Sequence, residues 1–406
     1  MLYVFYFFAA VLIWLSFKSF ISGLRYLRYF REEIAKTASN FTPAVTIIAP
    51  CRGVDRGLAA NLEAVLAQDY PNFEIVFVVD DILDPAVAAI YEVLGRQRKA
   101  TLQTKIVVAP KAAGCSQKVE NLREGVRRAD PTSAVFVFVD SDARPSTWWL
   151  RTLVARLEDE KVGVATGYRW FISEERSFAS ELLSVWNASI ASALSPTTSS
   201  FCWGGSTAIR REVFERLEIH ERWRGVVADD FALADAVKKA GMDIVFVPQA
   251  LTASFERPTL AGLLEFTNRQ MKLTRVYATP LWLVTFVGCG VFTAVMLTAF
   301  LIAMLSKQNG PAAWISIGVI VLVSLMSIGK AWLRFNAVRL ALPQYADELR
   351  RQFLPQTTLW LISPALFFIN SLAALFSRRI TWRGITYELK SPTETVIIAP
   401  NNAKHL

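Results

Sequence analysis

Between residues 44 and 248 the chain alternates short apolar runs with stretches of helical spacing. AVTIIAP (44–50), EIVFVVDD (74–81), KIVVAP (105–110) and AVFVFVDSD (134–142) read as buried strands, because each is a continuous apolar run bounded by polar or turn residues. GLAANLEAVLAQ (57–68) and QKVENLREGVRRA (117–129) have helical spacing, and Asp84 and Pro85 start another helix. VGVATG (162–167) and DIVFVP (243–248) predict two more strands. ADDFALADAVKKAG (228–241) predicts a helix with acid at its start and glycine at its stop. This order predicts an α/β fold, a mostly parallel sheet covered by helices.

The ends of the chain follow another pattern. Residues 2–21 are almost wholly apolar and aromatic, enough to cross a bilayer, and Arg25, Arg28 and Arg31 follow at once. The positive-inside rule then puts the next segment in the cytosol. With no basic n-region or small-residue cleavage site, this reads as an uncleaved anchor. Residues 281–305 and 312–328 are apolar enough to cross, and Lys330, Arg334 and Arg339 follow on the cytosolic side. Residues 359–376 form a fourth apolar segment, interrupted by Pro364 and Asn370; it either crosses or is re-entrant. Residues 258–277 are amphipathic and basic, as an interfacial helix is, and residues 182–194 read either as a helix near the membrane or as a core helix. The expected organisation is an anchor (1–24), a catalytic domain (41–257), an interfacial helix (258–280), a membrane region (281–377) and a basic tail (378–406).

Composition narrows the chemistry. Of 406 residues 53% are hydrophobic, high for a soluble chain, and the excess lies at the two ends. Four scattered cysteines argue against a disulfide framework or a zinc site, and two histidines leave little for a Ser/His/Asp or His–metal centre. The net charge of +9 fits attraction to anionic lipid better than nucleic acid, given the apolar spans.

Acidic residues end two predicted strands, at Asp80/Asp81 and at Asp140/Asp142, and a third pair, Asp229/Asp230, opens a helix. The stretch FVFVDSDARPSTWW (136–149) carries a DxD at the carboxyl end of a strand, where open α/β sheets bind ligands. Carboxylates there suit Mg²⁺ or Mn²⁺ at a phosphate ligand. Asp229 and Asp230 also serve as helix-capping acids, and the two roles are compatible. Together the three stations suggest a nucleotide-sugar transferase. A cation held by the DxD neutralises the leaving diphosphate. A carboxylate on the opposite face takes the acceptor's proton. Lys118 reads as a nucleotide or phosphate ligand, or as a solvated helix lysine. Trp148, Trp149, Trp170, Trp186 and Trp203 read as core more readily than as a lipid or sugar site.

IIAPCRG, VVDDILDPA, QKVENL, VDSDAR, WGGSTAIRREVF, VADDFALADAVKKAG and RQMKLTR run in that order across nearly the whole chain. In their order and spacing they resemble the GT-A glycosyltransferases, and within these the ceramide glucosyltransferase family. The resemblance implies an inverting transfer on a GT-A fold. It implies Asp81 as the base-binding acid, with Pro50 and Lys118 also near the donor nucleotide. Asp140 and Asp142 are implied as the donor and metal acids, holding Mn²⁺ or Mg²⁺, and Asp230 as the general base. Gly204, Gly205, Ser206 and Asp229 are implied near the acceptor.

Two departures stand out. The ceramide branch often has a DSG-type sequence where this chain has DSD. Related enzymes carry a QxxRW-type motif where this chain has Arg269, Gln270, Met271, Lys272 and Leu273. Arg269 and Lys272 still offer cations to a pyrophosphate, Lys as a point charge without arginine's fork, or they are the basic face of an interfacial helix. Without the aromatic platform a processive polysaccharide synthase is disfavoured. Residues 380–390 (ITWRGITYELK) resemble the WRG-type tail of such transferases, or form a basic interfacial anchor.

The expected activity is transfer of a hexose, glucose from UDP-glucose, to the hydroxyl of a lipid such as ceramide. Diacylglycerol, a hopanoid or a polyprenyl lipid is the alternative acceptor, and an inactive lipid- or nucleotide-binding scaffold the non-enzyme alternative. An acceptor held at the interface avoids the cost of drawing it into water, about 0.8 kcal/mol per methylene. The expected partners are the donor, the lipid and the membrane, and no nucleic acid. A bacterial inner membrane is expected, with an endoplasmic reticulum or Golgi membrane as the alternative.

Overall fold

The computed structural model describes residues 2–37, 39–96, 102–173, 175–194, 201–306 and 310–400. The chain divides into two compact units, one of Met1–Glu32, Ser173–Ser192 and Arg257–Ser377, the other of Glu33–Ile172, Ala193–Glu256 and Arg378–Leu406.

The second unit is built on a seven-stranded sheet. Its strands are β1 (Val45–Pro50), β2 (Phe73–Val79), β3 (Gln103–Val108), β4 (Val135–Val139), β5 (Val162–Ile172), β6 (Ser206–Arg210) and β7 (Asp243–Phe255). They lie in the order β3-β2-β1-β4-β6-β5-β7. The first four in this order are parallel, β6 runs antiparallel to both neighbours, and β5 pairs parallel with β7. Every residue of β1 and β4 is buried, which explains their unbroken apolar sequence. This is the mostly parallel α/β sheet expected from the alternation.

The parallel strands bring the ends of β1, β2 and β4 to one edge of the sheet. Because β6 is antiparallel, its start lies at the same edge, with Ser206 opposite Val139. β5 and β7 run on past that edge, pairing Tyr168 with Leu251 through Ile172 with Phe255. The sequence pattern ends these two strands at Gly167 and Pro248 and does not contain β6.

Residues read as a basic tail form a second sheet instead, three antiparallel strands in the order β10-β9-β8. These are β8 (Arg379–Trp382), β9 (Ile385–Ser391) and β10 (Glu394–Pro400). Arg383 (φ 50°) and Gly384 (φ 76°) make the two-residue turn between β8 and β9. Two positive φ values are what a type I′ hairpin turn requires. This sheet packs within the same unit as the large one. The Gln117 N–H donates to the Tyr387 hydroxyl at 3.1 Å, and the Thr395 hydroxyl donates to the Gly225 carbonyl at 2.8 Å.

The other unit is helical. Four segments are long and apolar enough to cross a membrane: Leu2–Ile34, Thr279–Leu305, Pro311–Ala341 and Pro343–Phe376. Phe5, Ala9 and Leu12 of the first pack with Val295, Met296 and Ala299 of the second and Val319 and Val323 of the third. The last is broken, with helices Ala346–Thr358 and Ile362–Phe376 on either side of a short 3₁₀ turn. Helix Phe178–Ala191 belongs to this unit too. Its fully buried Trp186 stacks on Phe367 with ring centroids 4.7 Å apart.

Candidate active site

The carboxyl edge of the large sheet gathers most of the expected residues. Pro50 ends β1 and is buried. Asp80 and Asp81 follow β2 and point differently. Asp80 is buried and held by Arg52 (2.8 Å) and Lys111 (2.9 Å). Asp81 is exposed; its Oδ1 accepts a local bond from the Leu83 N–H at 3.0 Å, and its Oδ2 stands 3.9 Å from Lys111 Nζ. Asp81 stands two strands from Asp140, about 10 Å across the sheet at about 4.8 Å per strand.

Asp140, Ser141 and Asp142 follow β4, where the buried strand ends and its polar residues reach the edge. Helix Gln117–Arg127 begins with Ser116 as its cap, whose hydroxyl accepts from the Val119 N–H. Lys118 in its first turn bridges two stations, with Nζ 2.7 Å from Asp140 Oδ1 and 3.2 Å from Asp229 Oδ1. Burial disfavours the charged lysine, but Asp140, Asp229 and Asp230 outweigh it and raise its pKa. Burial also pushes Asp140 upward, and Lys118 and Arg169 outweigh that to hold it below the usual range.

Asp229 and Asp230 open helix Asp229–Lys239. Asp229 is buried, and burial raises its pKa despite Lys118. Asp230 is half-buried; its Oδ1 accepts from its neighbour Phe231's N–H at 2.8 Å and its Oδ2 has a long 3.5 Å approach from the Gly204 N–H. Burial, and then the charge of Asp229, push Asp230 up to about 7. No cation pairs with Asp230 among the described residues, unlike Asp140 and Asp229.

The segment before β6 must be glycine. A Cβ on Gly204 would stand 2.2 Å from Asp229 Oδ2 and 3.0 Å from Lys118 Nζ. A Cβ on Gly205 would meet the Trp203 ring at 2.3 Å. Ser206 turns inward: its hydroxyl accepts from Trp149 Nε1 at 2.7 Å and donates to the Ala250 carbonyl at 3.2 Å. Trp149 and Trp170 are fully buried, Trp203 lies beside the site and Trp148 is exposed. Arg269 and Lys272 lie on helix Leu260–Tyr277, in the helical unit.

Four more residues complete the cluster: Asp55, Arg169 and Glu256, and Arg383 of the WRG stretch. Arg169, on β5 beyond the sheet edge, holds Asp142 Oδ2 at 2.7 Å between the rings of Trp203 and Phe171. Asp55 accepts from the Ser141 hydroxyl at 2.7 Å, and its other oxygen pairs with Arg383 at 2.5 Å. Glu256, just after β7, is pushed up to about 7 by burial and then by Asp142. An arginine inside a strand gives no periodic signal; the folded register brings Arg169 here, and the β8–β9 turn brings Arg383.

This cluster fits a divalent cation. Six carboxyl groups (Asp55, Asp140, Asp142, Asp229, Asp230, Glu256) face three cations (Lys118, Arg169, Arg383). Asp142 Oδ1 is buried and has no hydrogen-bond partner among the described residues. No group of three or more His, Cys, Asp or Glu side chains is arranged among them to hold a metal unaided. Mg²⁺ and Mn²⁺ ions at phosphate sites commonly take one or two carboxylates and complete their shell with water and substrate phosphate. The acid excess and the unpaired oxygen suit that mode.

Known proteins were compared with this chain. Part of the ceramide glucosyltransferase 1 of Caenorhabditis elegans is 28% identical over 87 residues, 21% of this chain and 18% of that protein's length. A mannosyltransferase from Pyrobaculum calidifontis, solved with GDP-mannose and Mn²⁺, is similar in structure with a TM-score of 0.43 and 18% identity over 89% of this chain and 99% of its own. The S. aureus protein TarS, solved with UDP-GlcNAc, gives a TM-score of 0.39 and 12% identity over 76% of this chain and 92% of its own. The family described as Glycosyl transferase family 21 matches residues 10–395. That match takes in every acidic station of the sheet edge as well as the hairpin of β8 and β9, and the chain belongs to glycosyl transferase family 21.

Proposed function

We propose that this sugar transferase moves glucose from UDP-glucose to the primary hydroxyl of ceramide in one inverting displacement. The observation that carries the reading is Asp230: a half-buried carboxyl without a cation of its own, poised near neutral pH beside the Lys118-bridged pair Asp140 and Asp229. A base with a pKa near the working pH is the most effective proton acceptor. Asp230 takes the proton of the acceptor hydroxyl as its oxygen bonds to the anomeric carbon. The bond from that carbon to the diphosphate oxygen breaks, and its electron pair leaves with UDP. No sugar–enzyme bond forms, so the anomeric configuration inverts.

Asp81 receives the uracil N–H, and Pro50 packs beside the nucleotide. Lys118 fixes Asp140 and Asp229 on either side of the donor. Asp142 and Asp140 hold Mn²⁺ or Mg²⁺, which when bound neutralises charge on the leaving diphosphate. Gly204 and Gly205 let the backbone approach Asp229 and the Trp203 ring, which face the acceptor. The catalytic unit is drawn as Glu33–Ile172, Ala193–Glu256 and Arg378–Leu406, so helix Phe178–Ala191, inside the limits 41–257 drawn from the sequence, goes to the helical unit.

The acceptor is drawn from the bilayer, and the catalytic unit faces the cytosol of a bacterial cell. Arg25, Arg28 and Arg31, next to the first apolar segment, support this side. The β8–β10 sheet packs with the large sheet, so residues 256 and 378 lie on one side of the membrane. An even number of crossings then separates them. Thr279–Leu305 and Pro311–Ala341 supply two, so Pro343–Phe376, although long and apolar enough to cross, is read as entering and leaving by one face. Helix Ile362–Phe376 has 15 residues, about 22 Å of rise, which is short of the about 30 Å hydrocarbon core.

The test uses the purified full chain in detergent with Mn²⁺, a panel of UDP- and GDP-sugars, and ceramide, diacylglycerol or no lipid. Nucleotide release that needs both UDP-glucose and ceramide supports the reading. Release with diacylglycerol alone moves the acceptor, and release with a GDP-sugar alone moves the donor.

A further inference from the structure

The turn that closes β8 and β9 places an arginine where a glycine or asparagine is the easier choice. Arg383 sits at φ 50°, in the left-handed region that L residues avoid. Its guanidinium reaches Asp55 at 2.5 Å, and Asp55 in turn accepts from Ser141, the middle residue of the DSD. The turn is therefore one link from both Asp140 and Asp142.

The hairpin is braced at that place. Tyr387 on β9 accepts from the Gln117 N–H, at the start of the helix that carries Lys118. The ring of Trp382, next to the turn, lies 5.8 Å from Lys118 Nζ. Thr395 on β10 bonds to Gly225, four residues before Asp229, and a Cβ on Gly225 would stand 1.9 Å from the Thr393 carbonyl oxygen. The small sheet thus touches the segments leading into both catalytic helices.

The other two cations of the cluster are already committed. Lys118 is held between two carboxylates, and Arg169 by Asp142 between two aromatic rings, with side chains 14% and 13% exposed. The Arg383 side chain is 39% exposed and pairs with one oxygen of one carboxylate. A guanidinium has five N–H donors in a planar fork, which matches the oxygens of a phosphate.

The geometry points to Arg383 as a ligand of the donor's diphosphate, presented to the DSD by the carboxyl-terminal hairpin. This rests on the nucleotide-sugar reading above. The fork turns from Asp55 alone to Asp55 and the phosphoryl oxygen farther from the nucleoside. No covalent bond is made or broken in that step.

The test measures binding of uridine and guanosine di- and monophosphates to the full chain in detergent with Mn²⁺. R383G removes the side chain at a φ that glycine favours, so the turn and the fold survive, and an unchanged or higher melting temperature checks that. Wild type is expected to prefer the diphosphate. R383G loses at least tenfold for the diphosphate and stays within twofold for the monophosphate, and R383K recovers part of the loss. R383G with the wild-type preference, or with equal losses for both nucleotides, overturns the assignment and leaves Arg383 as an anchor of the hairpin. A wild type with no preference for either diphosphate overturns the donor reading itself.

Discussion

Replacing Asp230 by asparagine should move activity and stability in opposite directions. Asparagine keeps the shape and loses the charge. Burial and Asp229 raise the folded-state pKa of Asp230 from 3.8 to about 7. At about 1.36 kcal/mol per tenfold change in proton affinity, that rise is worth about 4 kcal/mol. Its sign follows from proton linkage. Between pH 4 and 7 the folded wild type holds a proton that the unfolded chain has released, so wild-type stability falls as pH rises through this window and levels off above it. D230N lacks that fall. Below pH 4 a neutral acid and an amide differ little. By pH 8 the variant should be more stable by about 1–4 kcal/mol, the lower figure allowing for water and counter-ions reaching the half-buried site. Thermal unfolding in detergent without divalent cations, at pH 5, 6, 7 and 8, reads this as a difference in melting temperature that grows with pH. Turnover should fall about 10²–10⁴-fold, the usual worth of a positioned base. The reasoning is refuted if D230N melts below wild type at pH 8, if the difference is flat with pH, or if turnover is retained.

Wild-type kcat/KM should rise with pH along an acid limb near pH 7, as Asp230 gives up its proton, and a flat profile from pH 5 to 8 counts against that base. K118M leaves Asp140 and Asp229 facing each other without their cation and should cost about 3 kcal/mol of stability at pH 8, less at pH 5, with part restored in K118M/D229N; thermal unfolding of wild type, K118M, D229N and K118M/D229N checks it. D142N removes the carboxylate whose Oδ1 is unpaired, and should raise the Mn²⁺ concentration for half-maximal activity at least about tenfold, read from metal titrations of chelated enzyme. G204A drives a methyl to within 2.2 Å of Asp229 Oδ2, and should cut turnover at least about tenfold while costing about 1–3 kcal/mol in unfolding.

The strands easiest to read from sequence were those buried on both faces. β1, β2 and β4 are continuous apolar runs because helices cover both sides of a parallel sheet. β6 was lost because STAIR is short and mixed, and its place is set by pairing on both sides rather than by its own pattern. β5 and β7 were cut short at Gly167 and Pro248, although their pairing continues beyond an irregularity there. The second sheet did carry a signal: β-branched and aromatic residues on each side of Arg383–Gly384 are a hairpin pattern. The charge of the segment led instead to a tail.

The site divides in the same way. Asp140, Asp142, Asp229 and Asp230 stood out because acids at strand ends and helix starts are conspicuous in a local window. Lys118 was legible as a residue, but its bridge between Asp140 and Asp229 depends on a helix and a strand distant in sequence. Asp55, Arg169 and Glu256 were illegible because each is an isolated charge, and Arg383 was legible as part of the WRG stretch but not as a partner of Asp55. They acquire meaning only when β5 runs past the sheet edge and the hairpin folds back onto the DSD.

The anomeric configuration of the product tests the central claim most directly. The full chain, supplied with UDP-α-glucose, Mn²⁺ and ceramide, should yield a glycolipid whose anomeric proton shows the large coupling of a β-glucoside by NMR. A β product, absent in D230N, is the result expected from one displacement with Asp230 as base. An α-linked product would contradict it, since retention needs a second displacement or a front-face route in place of one inverting step.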